Sequence, residues 1–229
     1  MSSFRDRFNT TKTFKLDLLE YRDIFQDNTG AYRTYRTPEG ENYPSITSVL
    51  GANPEKAAML QEWRDRVGVE EAAKITKKAA ANGTGVHDSL EDYVLGNPVT
   101  QINPQYKAIK QVIDNHVDNI RGIEIPLYSD IIKIAGTADL VGDYDGDLAV
   151  IDYKTSLKLK REEWITDYFI QSTFYALSLK EMYDILPKYI VIIIGVQGEP
   201  VAQVFKMKVK DYITTIVKAR QLFTTINGE

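Results

Sequence analysis

The spacing of hydrophobic residues changes about halfway along the chain, near residue 121. Upstream of that point, apolar residues recur every three or four positions, which is typical of amphipathic helices. Downstream, short runs rich in Val, Ile and Tyr are bounded by Gly, Asp or Pro, which is typical of strands. This order predicts one α/β domain over residues 1–229, in which a hairpin and helical part over residues 1–121 packs on an α/β core over residues 122–229.

The same pattern predicts the individual elements. A hairpin is expected within residues 12–36, turning at Asp27-Asn28-Thr29-Gly30, and a short helix or strand over residues 46–50. A helix is expected from Pro54, with a buried stripe formed by Ala57, Leu60, Trp63 and Val67. Further helices are expected over residues 70–81, 86–95, 104–120, 162–183 and 211–225, and strands over residues 123–128, 132–144, 147–155, 189–196 and 201–209.

The amino-acid composition excludes several classes of protein. Of the 229 residues, 43% are hydrophobic and 26% are charged, which is ordinary for a soluble globule and excludes intrinsic disorder and collagen. The absence of cysteine excludes a disulfide scaffold, a thiolate zinc site and a cysteine nucleophile. Only two histidines are present, His87 and His116, so any metal site must rest mainly on carboxylates, which suit Mg²⁺, Ca²⁺ or Mn²⁺.

Charge and the longest apolar runs bear on partners and location. The net charge of −4 argues mildly against a protein that coats DNA constitutively, although basic groups can still gather at one groove. No apolar run reaches the roughly 18 residues that a membrane-spanning helix needs. The start, MSSFRDRFNTTKTFKLDLLE, lacks the apolar segment of a signal peptide and is not typical of a transit peptide. We therefore expect no membrane partner.

The segment GTADLVGDYDGDLAVIDYKTS, residues 136–156, carries the candidate chemistry. Asp145-Gly146 is a strong signal for a two-residue turn between two strands. Such a turn sets the register of the strands and places Asp139 directly opposite Asp152. Lys154 lies two residues beyond Asp152, so its side chain points to the same face of the sheet.

The repulsion between two carboxylates in this position has to be offset by positive charge. Directly paired residues have β-carbons about 4.5–5.5 Å apart, and like charges there are destabilising. The apolar run at 148–151 predicts a strand covered on both faces, so an interpretation as solubility residues on an exposed strand is disfavoured. A bound divalent cation, together with Lys154, is the economical compensation.

GTAD followed by IDYKTS resembles the PD-(D/E)XK nuclease signature. Further matches are most similar to the RecB-like exonuclease branch, which includes phage exonucleases and mitochondrial genome maintenance exonucleases. These matches are YPSITSVL at 43–50, GTGVHDSLE at 83–91, EIPLYS at 124–129 and FIQSTFYALSL. Ala138 replaces the proline of the motif's name, as is common in this branch. The resemblance implies a restriction-endonuclease-like α/β fold, with a mixed central β-sheet flanked by helices and an N-terminal helical subdomain.

The resemblance also implies roles for individual residues. A metal, Mg²⁺ or Mn²⁺, would be held by His87, Asp139, Asp152 and the backbone carbonyl of Tyr153. Lys154 would act with the two aspartates in catalysis, orienting the attacking water and stabilising the pentacovalent phosphate. Three supporting residues would lie near the site or the DNA backbone: Glu124, Gln171 and Tyr175. Glu124 has an alternative interpretation as a surface acid, and Tyr175 as a core residue.

Physical chemistry adds an interpretation of His87 and Glu91. If Gly83-Thr84-Gly85 opens a helix, His87 lies in the first turn, where the helix dipole disfavours the imidazolium and keeps the ring neutral for metal binding. The same turn would offer backbone N–H groups to a phosphate. Glu91 lies one helical turn further on, where it either orients His87 or pairs with a lysine. His116 is expected on the surface of an amphipathic helix.

Basic residues are concentrated in two segments. The densest patch directly follows the lysine of the motif, where it would contact phosphates or form a solvated loop. Its candidate DNA contacts are Thr155, Ser156, Lys158, Lys160 and Arg161. The second set either lines an arch for a single strand or forms an exposed helix face, and it comprises Arg64, Arg66, Lys74, Lys77 and Lys78. Trp63 is expected in the core rather than stacked on a base.

Together these interpretations predict an Mg²⁺- or Mn²⁺-dependent deoxyribonuclease, an exonuclease that hydrolyses phosphodiester bonds from DNA ends. We expect it to act on single strands in replication, recombination or repair, in the cytoplasm of a bacterial or phage-infected cell. Three alternatives stay open. They are a restriction-like or structure-specific endonuclease of the same fold, a non-catalytic nucleic-acid-binding module, and a cation-binding structural protein.

Overall fold

The computed structural model describes residues 12–228, so residue 229 and residues 1–11, part of the segment compared with targeting peptides, lie outside it. The described chain begins with a small antiparallel sheet of β1 (Phe25–Asp27), β2 (Thr34–Arg36) and β3 (Asn42–Pro44). The predicted hairpin is confirmed by the pairing of β1 with β2. Its turn is closed by the Asp27 carboxylate, which accepts hydrogen bonds from the Thr29 N–H and hydroxyl.

Four helices and then a five-stranded sheet follow. The helices are α1 (Ile46–Gly51), α2 (Pro54–Val67), α3 (Val69–Leu95) and α4 (Pro104–His116). The strands are β4 (Val117–Ser129), β5 (Ile134–Tyr144), β6 (Asp147–Ser156), β7 (Tyr189–Val196) and β8 (Gln203–Lys208), in that spatial order. All neighbours are antiparallel except β6 and β7, which are parallel because α5 (Thr166–Tyr183) crosses between them. The last helix is α6 (Ile213–Asn227).

The five-stranded sheet separates two hydrophobic cores. On one face, α1, α5 and α6 pack around Phe174 and Ile192. On the other face, α3 and α4 pack with Leu90 and Ile109 against Ile193. Alternate residues of β7 enter opposite cores, as expected for a strand with helices on both faces. The mixed sheet flanked by helices confirms the predicted fold class, and all five predicted strands of this sheet are present.

The hairpin of β5 and β6 has the predicted register. Asp145 and Gly146 form its turn with φ angles of 52° and 81°, as a type I′ turn requires. The ladder continues as far as the pair Leu140–Ile151 and ends there. The next pair in the same register would be Asp139 and Asp152, so the two strands separate at the two carboxylates.

One continuous helix, α3, replaces the two helices predicted over residues 70–81 and 86–95. The glycines between them allow close packing and do not end the helix. A β-carbon on Gly85 would lie 2.0 Å from Gln101 Oε1, so the helix backbone packs directly against the Gln101 side chain. The Ser89 hydroxyl joins the same two segments by donating to the carbonyls of Gly85 and Gln101.

The helix predicted from Pro54 is present as α2, but its predicted buried stripe is wrong. α2 buries none of its side chains, and Leu60 is 44% exposed. α2 packs mainly along α3 and leaves its remaining faces to solvent. The periodicity of a sequence predicts a helix, whereas burial depends on which other element covers it.

The remaining differences are at the ends of elements. The helix predicted over residues 104–120 ends at His116, because Val117 already belongs to β4. The helix predicted over residues 162–183 begins as a 3-10 turn, Glu162–Trp164, before α5. Among the helices of residues 12–228, none combines the length and apolar composition that a membrane crossing needs.

Candidate active site

Asp139, Asp152 and Lys154 meet at the point where β5 and β6 separate. Asp139 Oδ2 accepts a hydrogen bond of 2.7 Å from the Tyr153 N–H, so the carboxylate occupies the place that a ladder carbonyl would otherwise take. Lys154 Nζ lies 2.6 Å from Asp152 Oδ2. Both aspartates are buried, Asp139 with 8% and Asp152 with 1% of its surface exposed.

Asp152 is a buried carboxylate that lacks hydrogen bonds. Apart from the ionic contact with Lys154, neither of its oxygens has a hydrogen bond of good geometry from the described residues. Burial raises the pKa of Asp152 to about 6, despite the opposing effect of Lys154. Burial likewise raises the pKa of Asp139. Such a pair of carboxylates is costly in the interior unless a further positive charge compensates for it.

His87, on α3, brings an imidazole to the same point. Its Nδ1 lies 3.6 Å from Asp139 Oδ2 and 3.9 Å from Glu124 Oε1. One ligand atom from each of these three residues falls within 4.8 Å of the others. The other ring nitrogen, Nε2, lies 2.9 Å from the Tyr153 carbonyl oxygen. If Nε2 carries the ring proton and donates it to that carbonyl, Nδ1 is free to bind a cation.

The position of His87 within α3 corrects the expectation about its charge. His87 is in the middle of the helix and not in a first turn, so the helix dipole does not act on it as predicted. The backbone N–H groups of residues 83–85 are inside the same helix and are not free to bind a phosphate. Burial disfavours the charged ring, but Asp139 and Glu124 outweigh this effect and raise the pKa of His87 to about 9. A cation must therefore displace a proton from this ring.

Glu124 is held in a strained backbone conformation beside this cluster. It lies on β4 between the pairs Ile123–Leu140 and Ile125–Ala138, and its φ angle is 45°. A left-handed conformation of a non-glycine residue costs roughly 1–2 kcal/mol and is frequent at functional sites.

Glu91 lines the same tight depression as Glu124, together with His87 and Asp139. Burial, followed by the charge of Glu124, raises the pKa of Glu91. The structure thus brings both predicted supporting acids to the cluster.

The glycine of GTAD determines how closely α5 approaches the sheet. A β-carbon on Gly136 would lie 2.9 Å from Tyr175 Cε1 and 3.2 Å from Ile46 Cγ2. Tyr175 is therefore buried directly against β5, with 2% of its surface exposed. Its hydroxyl accepts a hydrogen bond of 3.0 Å from Gln171 Nε2. Tyr175 packs in the core, and Gln171, one turn earlier, is half-buried.

Tyr168 contacts Lys154, a contact that the sequence interpretation missed. Lys154 Nζ lies 5.2 Å from the centroid of the Tyr168 ring. Burial disfavours the charge of Lys154, but Asp152 and Asp139 outweigh this effect and raise the pKa of Lys154. The ammonium thus stays charged between a carboxylate and an aromatic face. The spacing of Tyr168, Gln171 and Tyr175 at helical intervals was an available signal.

The basic segment after Lys154 forms an ordered loop. Gln203 on β8 accepts from the Lys160 N–H and donates to the Lys160 carbonyl, which fixes the middle of the loop. Lys158 and Arg161 are exposed. The guanidinium of Arg161 lies 5.2 Å from the ring of Trp164, which is 62% exposed. An exposed tryptophan in the 3-10 turn that follows the basic loop is a second feature that the sequence interpretation missed.

Other basic and histidine residues lie away from this cluster. The five residues of the second basic set are all exposed on α2 and the first half of α3: Arg64, Arg66, Lys74, Lys77 and Lys78. His116 lies near the turn of the β5–β6 hairpin, where Nδ1 is 2.7 Å from Asp145 Oδ1. Its side chain is 43% exposed, so His116 is a surface residue, as predicted.

The residues at the cluster fit a divalent cation. Asp152 has buried oxygens without hydrogen bonds, and Asp139, Glu124 and His87 place further ligand atoms within reach of one another. Two carboxylates and one imidazole nitrogen form this group, and Asp152 lies outside it on the adjoining strand. Mg²⁺ and Mn²⁺ accept such a mainly oxygen donor set. The cysteine-free composition agrees with this choice of donors.

Comparisons with known proteins found similarities to nucleases. Residues 117–211, which contain the whole five-stranded sheet, match the model of the PD-(D/E)XK nuclease superfamily. Mitochondrial genome maintenance exonuclease 1 of Mus musculus is 28% identical over 130 residues, which are 51% of this chain and 38% of that protein. The Homo sapiens protein of the same name is 29% identical over 143 residues, 57% of this chain and 40% of that protein. The chain therefore matches about two fifths of the length of these relatives.

A solved structure is also similar in part. The crystal structure of SSO0001 aligns with 73% of this chain and 70% of that chain, at 15% identity and a TM-score of 0.41. The superfamily match confirms the resemblance described above and agrees with the observed mixed sheet.

Proposed function

Because residues 117–211 match the model of the PD-(D/E)XK nuclease superfamily, we propose that the protein is a divalent-metal-dependent DNA exonuclease. The observation that carries this proposal is the meeting of Asp139, Asp152, Lys154 and His87 where two strands separate. The similar exonucleases are named for genome maintenance, which supports a role in replication, recombination or repair. Those relatives are named mitochondrial, whereas the sequence predicts a bacterial or phage setting.

The cation would be held by His87 Nδ1 and the carboxylates of Asp139, Asp152 and Glu124. The Tyr153 carbonyl, predicted as a further ligand, accepts from His87 Nε2 on the opposite side of the ring from Nδ1, so it would orient the imidazole rather than bind an ion held at Nδ1. A bound Mg²⁺ or Mn²⁺ ion would supply Lewis acidity, lowering the pKa of water and neutralising charge on the scissile phosphate. Glu91 lies in the same depression as His87, where it would orient the imidazole without binding the ion.

Lys154 would act on the reacting phosphate as a charged donor. Its ammonium is held by Asp152 and Tyr168, so its direction is fixed before substrate binds. It would orient the attacking water and stabilise charge on the phosphate oxygens. In the reaction the water oxygen bonds to phosphorus and the bond to the leaving 3′ oxygen breaks. The water gives up a proton, the leaving oxygen gains one, and the product carries a 5′ phosphate.

The surroundings of the cluster supply contacts for one DNA strand. We propose that the loop after Lys154 binds phosphates through Thr155, Ser156, Lys158, Lys160 and Arg161. We propose a single strand as the substrate, with the exposed basic residues of α2 and the first half of α3 as further contacts to it. The shared core of α3, α4 and the sheet supports the proposal that the helical part and the α/β core act as one nuclease domain.

The test is digestion of end-labelled linear single-stranded DNA beside a circular single strand, with Mg²⁺, Mn²⁺ or EDTA. We compare the wild-type protein with Lys154→Ala. The matched control is Lys188→Ala, because Lys188 is an exposed lysine that pairs with Asp147 at the other end of β6. We expect metal-dependent loss of the linear strand only, and a decrease of about 100-fold or more in Lys154→Ala, the size expected for a lost transition-state donor.

Each other outcome selects an alternative. Cutting of the circle would make the protein an endonuclease of the same fold. Digestion that Lys154→Ala leaves unchanged, while its melting temperature matches the wild type, would remove Lys154 from the catalytic site. Absence of cleavage on single-stranded and double-stranded DNA with either metal would leave a non-catalytic nucleic-acid-binding module.

A further inference from the structure

A cavity of about 580 Å³ lies beside the candidate active site, along the path of α3 over β6. The helix and the strand run in opposite directions. His87 contacts Tyr153, and one turn earlier on the helix Gly83 lies beside Thr155. The cavity begins one further turn towards the N-terminus of α3, beside Ala79. Its wall nearest to the cluster is Thr155, the residue directly after Lys154.

The cavity has one apolar wall and one basic wall. Ile75, Ala79 and Leu157 contribute apolar surface, and Leu157 is 61% exposed. Lys74 and Lys78 lie on the same face of α3, one turn apart. Glu71 lines the cavity one turn before Lys74 and contributes a carboxylate. Apolar surface beside two ammonium groups suits a ligand with a ring and a phosphate. The volume falls within the roughly 300–1,000 Å³ range of small-molecule sites.

The charge of the two lysines is available to a ligand. Lys74 is 3.9 Å from Glu71, but the two side chains are 73% and 58% exposed, so this ion pair is weak. Lys78 has no ion pair within residues 12–228. The two ammonium groups are therefore largely solvated, and a phosphate can replace water at both.

The floor of the cavity is held rigidly by a chain of amides. Asn103 donates to Asn82, and Asn82 donates to the buried Gln105. Gln105 in turn donates to the carbonyls of Ser156 and Gly195 at 3.0 and 2.9 Å. These bonds tie α3 and α4 to the ends of β6 and β7. The cavity is consequently formed before any ligand binds, which lowers the entropic cost of binding.

We propose that this cavity binds the nucleotide of a single DNA strand that adjoins the scissile phosphate. Its base and sugar contact Ile75 and Leu157, and a phosphate contacts Lys74 and Lys78. The inference rests on the proposed nuclease function, since α3 holds His87 at the candidate metal site and lines the cavity one to two turns earlier.

The test measures binding separately from cleavage. We titrate a short fluorescent single-stranded oligonucleotide with protein in EDTA and follow its anisotropy at several salt concentrations. The first variant is Lys74→Ala/Lys78→Ala. Its charge-matched control is Lys210→Ala/Lys218→Ala, two exposed lysines that do not line the cavity and lie outside the basic faces of α2 and α3. A second variant, Ala79→Phe, fills the cavity without changing the charge.

We expect Kd to rise about tenfold in the double lysine variant, and its dependence on salt to weaken by the equivalent of about one to two phosphate contacts. Ala79→Phe should raise Kd by a similar factor with the salt dependence unchanged. With Mn²⁺ present, both variants should raise KM and keep kcat within about twofold, because the contacts are made before the transition state.

Equal Kd values for the control and both cavity variants would overturn the inference while the wild type still digests DNA. A wild-type protein that digests no DNA would overturn the proposed function instead, and the titration in EDTA would still decide whether the cavity binds the strand. A fall in kcat without a change in KM would assign Lys74 and Lys78 to the reaction itself and would also contradict the inference.

Discussion

The two halves of α3 have different surroundings. Residues 69–81 bury one side chain, Ala72, and expose three lysines. Residues 86–95 bury Val86, Ser89, Leu90, Tyr93 and Val94 and hold His87 against the sheet. One continuous helix therefore joins an exposed basic surface to a fixed ligand of the candidate metal site.

The difference between the halves comes from their partners. The second half packs on α4 and the five-stranded sheet, whereas the first half has mainly α2 beside it. Changes in the buried half should therefore act on folding and on metal binding. Changes in the exposed half should act on substrate binding and leave stability nearly unchanged.

The largest expected effect on stability comes from comparing two leucines. Leu90, in the buried half of α3, has no exposed surface, and Leu60, on α2, is 44% exposed. Leu90→Ala should lower the free energy of unfolding by about 2–5 kcal/mol, because it leaves a cavity in a packed core. Leu60→Ala should cost less than about 1 kcal/mol. Urea denaturation at equilibrium measures both, and a large cost at Leu60 would mean that α2 is covered in solution.

Metal binding tests the role of the buried half of α3, because this half carries His87, a proposed ligand. Mn²⁺ at about 100 times its Kd should raise the free energy of unfolding by about 2–3 kcal/mol. This effect should be larger at pH 7 than at pH 5. Burial raises the pKa of Asp139 and Asp152, so both hold protons more strongly at the lower pH, and the cation must displace those protons together with the one on His87.

Two variants serve as controls for metal binding, one at a proposed ligand and one on the exposed half of α3. Thermal melting with and without Mn²⁺ should show no metal effect in Asp139→Asn and an unchanged effect in Lys77→Ala, an exposed lysine of α3. Equal stabilisation at the two pH values would contradict the assignment of these carboxylates as ligands.

Substitutions at two glycines test two separate features. Gly136→Ala tests how closely α5 packs on the sheet, and Gly83→Ala tests whether α3 is continuous. Gly136→Ala should lower the free energy of unfolding by about 1–3 kcal/mol, since the new β-carbon would lie 2.9 Å from the Tyr175 ring. Gly83→Ala should raise it by about 0.5–1 kcal/mol, because alanine favours a helix interior and meets only Thr155 Oγ1 at 3.7 Å. Destabilisation by Gly83→Ala would instead indicate that the helix is interrupted there.

Gly85, in the same Gly83-Thr84-Gly85 segment, shows why part of the fold was not predictable. A glycine that ends a helix and a glycine that allows close packing look alike in a sequence. The side chain of Gln101 decides between them, and it comes from a separate segment of the chain. The error then carried over to His87, whose charge was argued from a helix end that does not exist.

The hairpin of β5 and β6 was predictable because its determinants are local. Asp145-Gly146 fixes the turn, and the turn fixes the register that brings Asp139 and Asp152 together. Tyr168 was missed for the opposite reason. It reaches Lys154 through the packing of α5 on the sheet, and the helical spacing that it shares with Gln171 and Tyr175 was the one local signal for this contact.

The smallest expected effect is that of substituting Trp164. This residue is an exception to the division between a buried α/β core and an exposed helical part. It lies just before α5 but is 62% exposed, beside Arg161. Trp164→Ala should change the free energy of unfolding by less than about 0.5 kcal/mol. It should weaken binding of a single-stranded oligonucleotide in EDTA by about fivefold, the lower end for an aromatic ring stacked on a base. Trp164→Phe should restore most of the affinity, because the ring is retained. Unchanged anisotropy titrations in Trp164→Ala would restrict the strand-binding surface to the lysines and arginines.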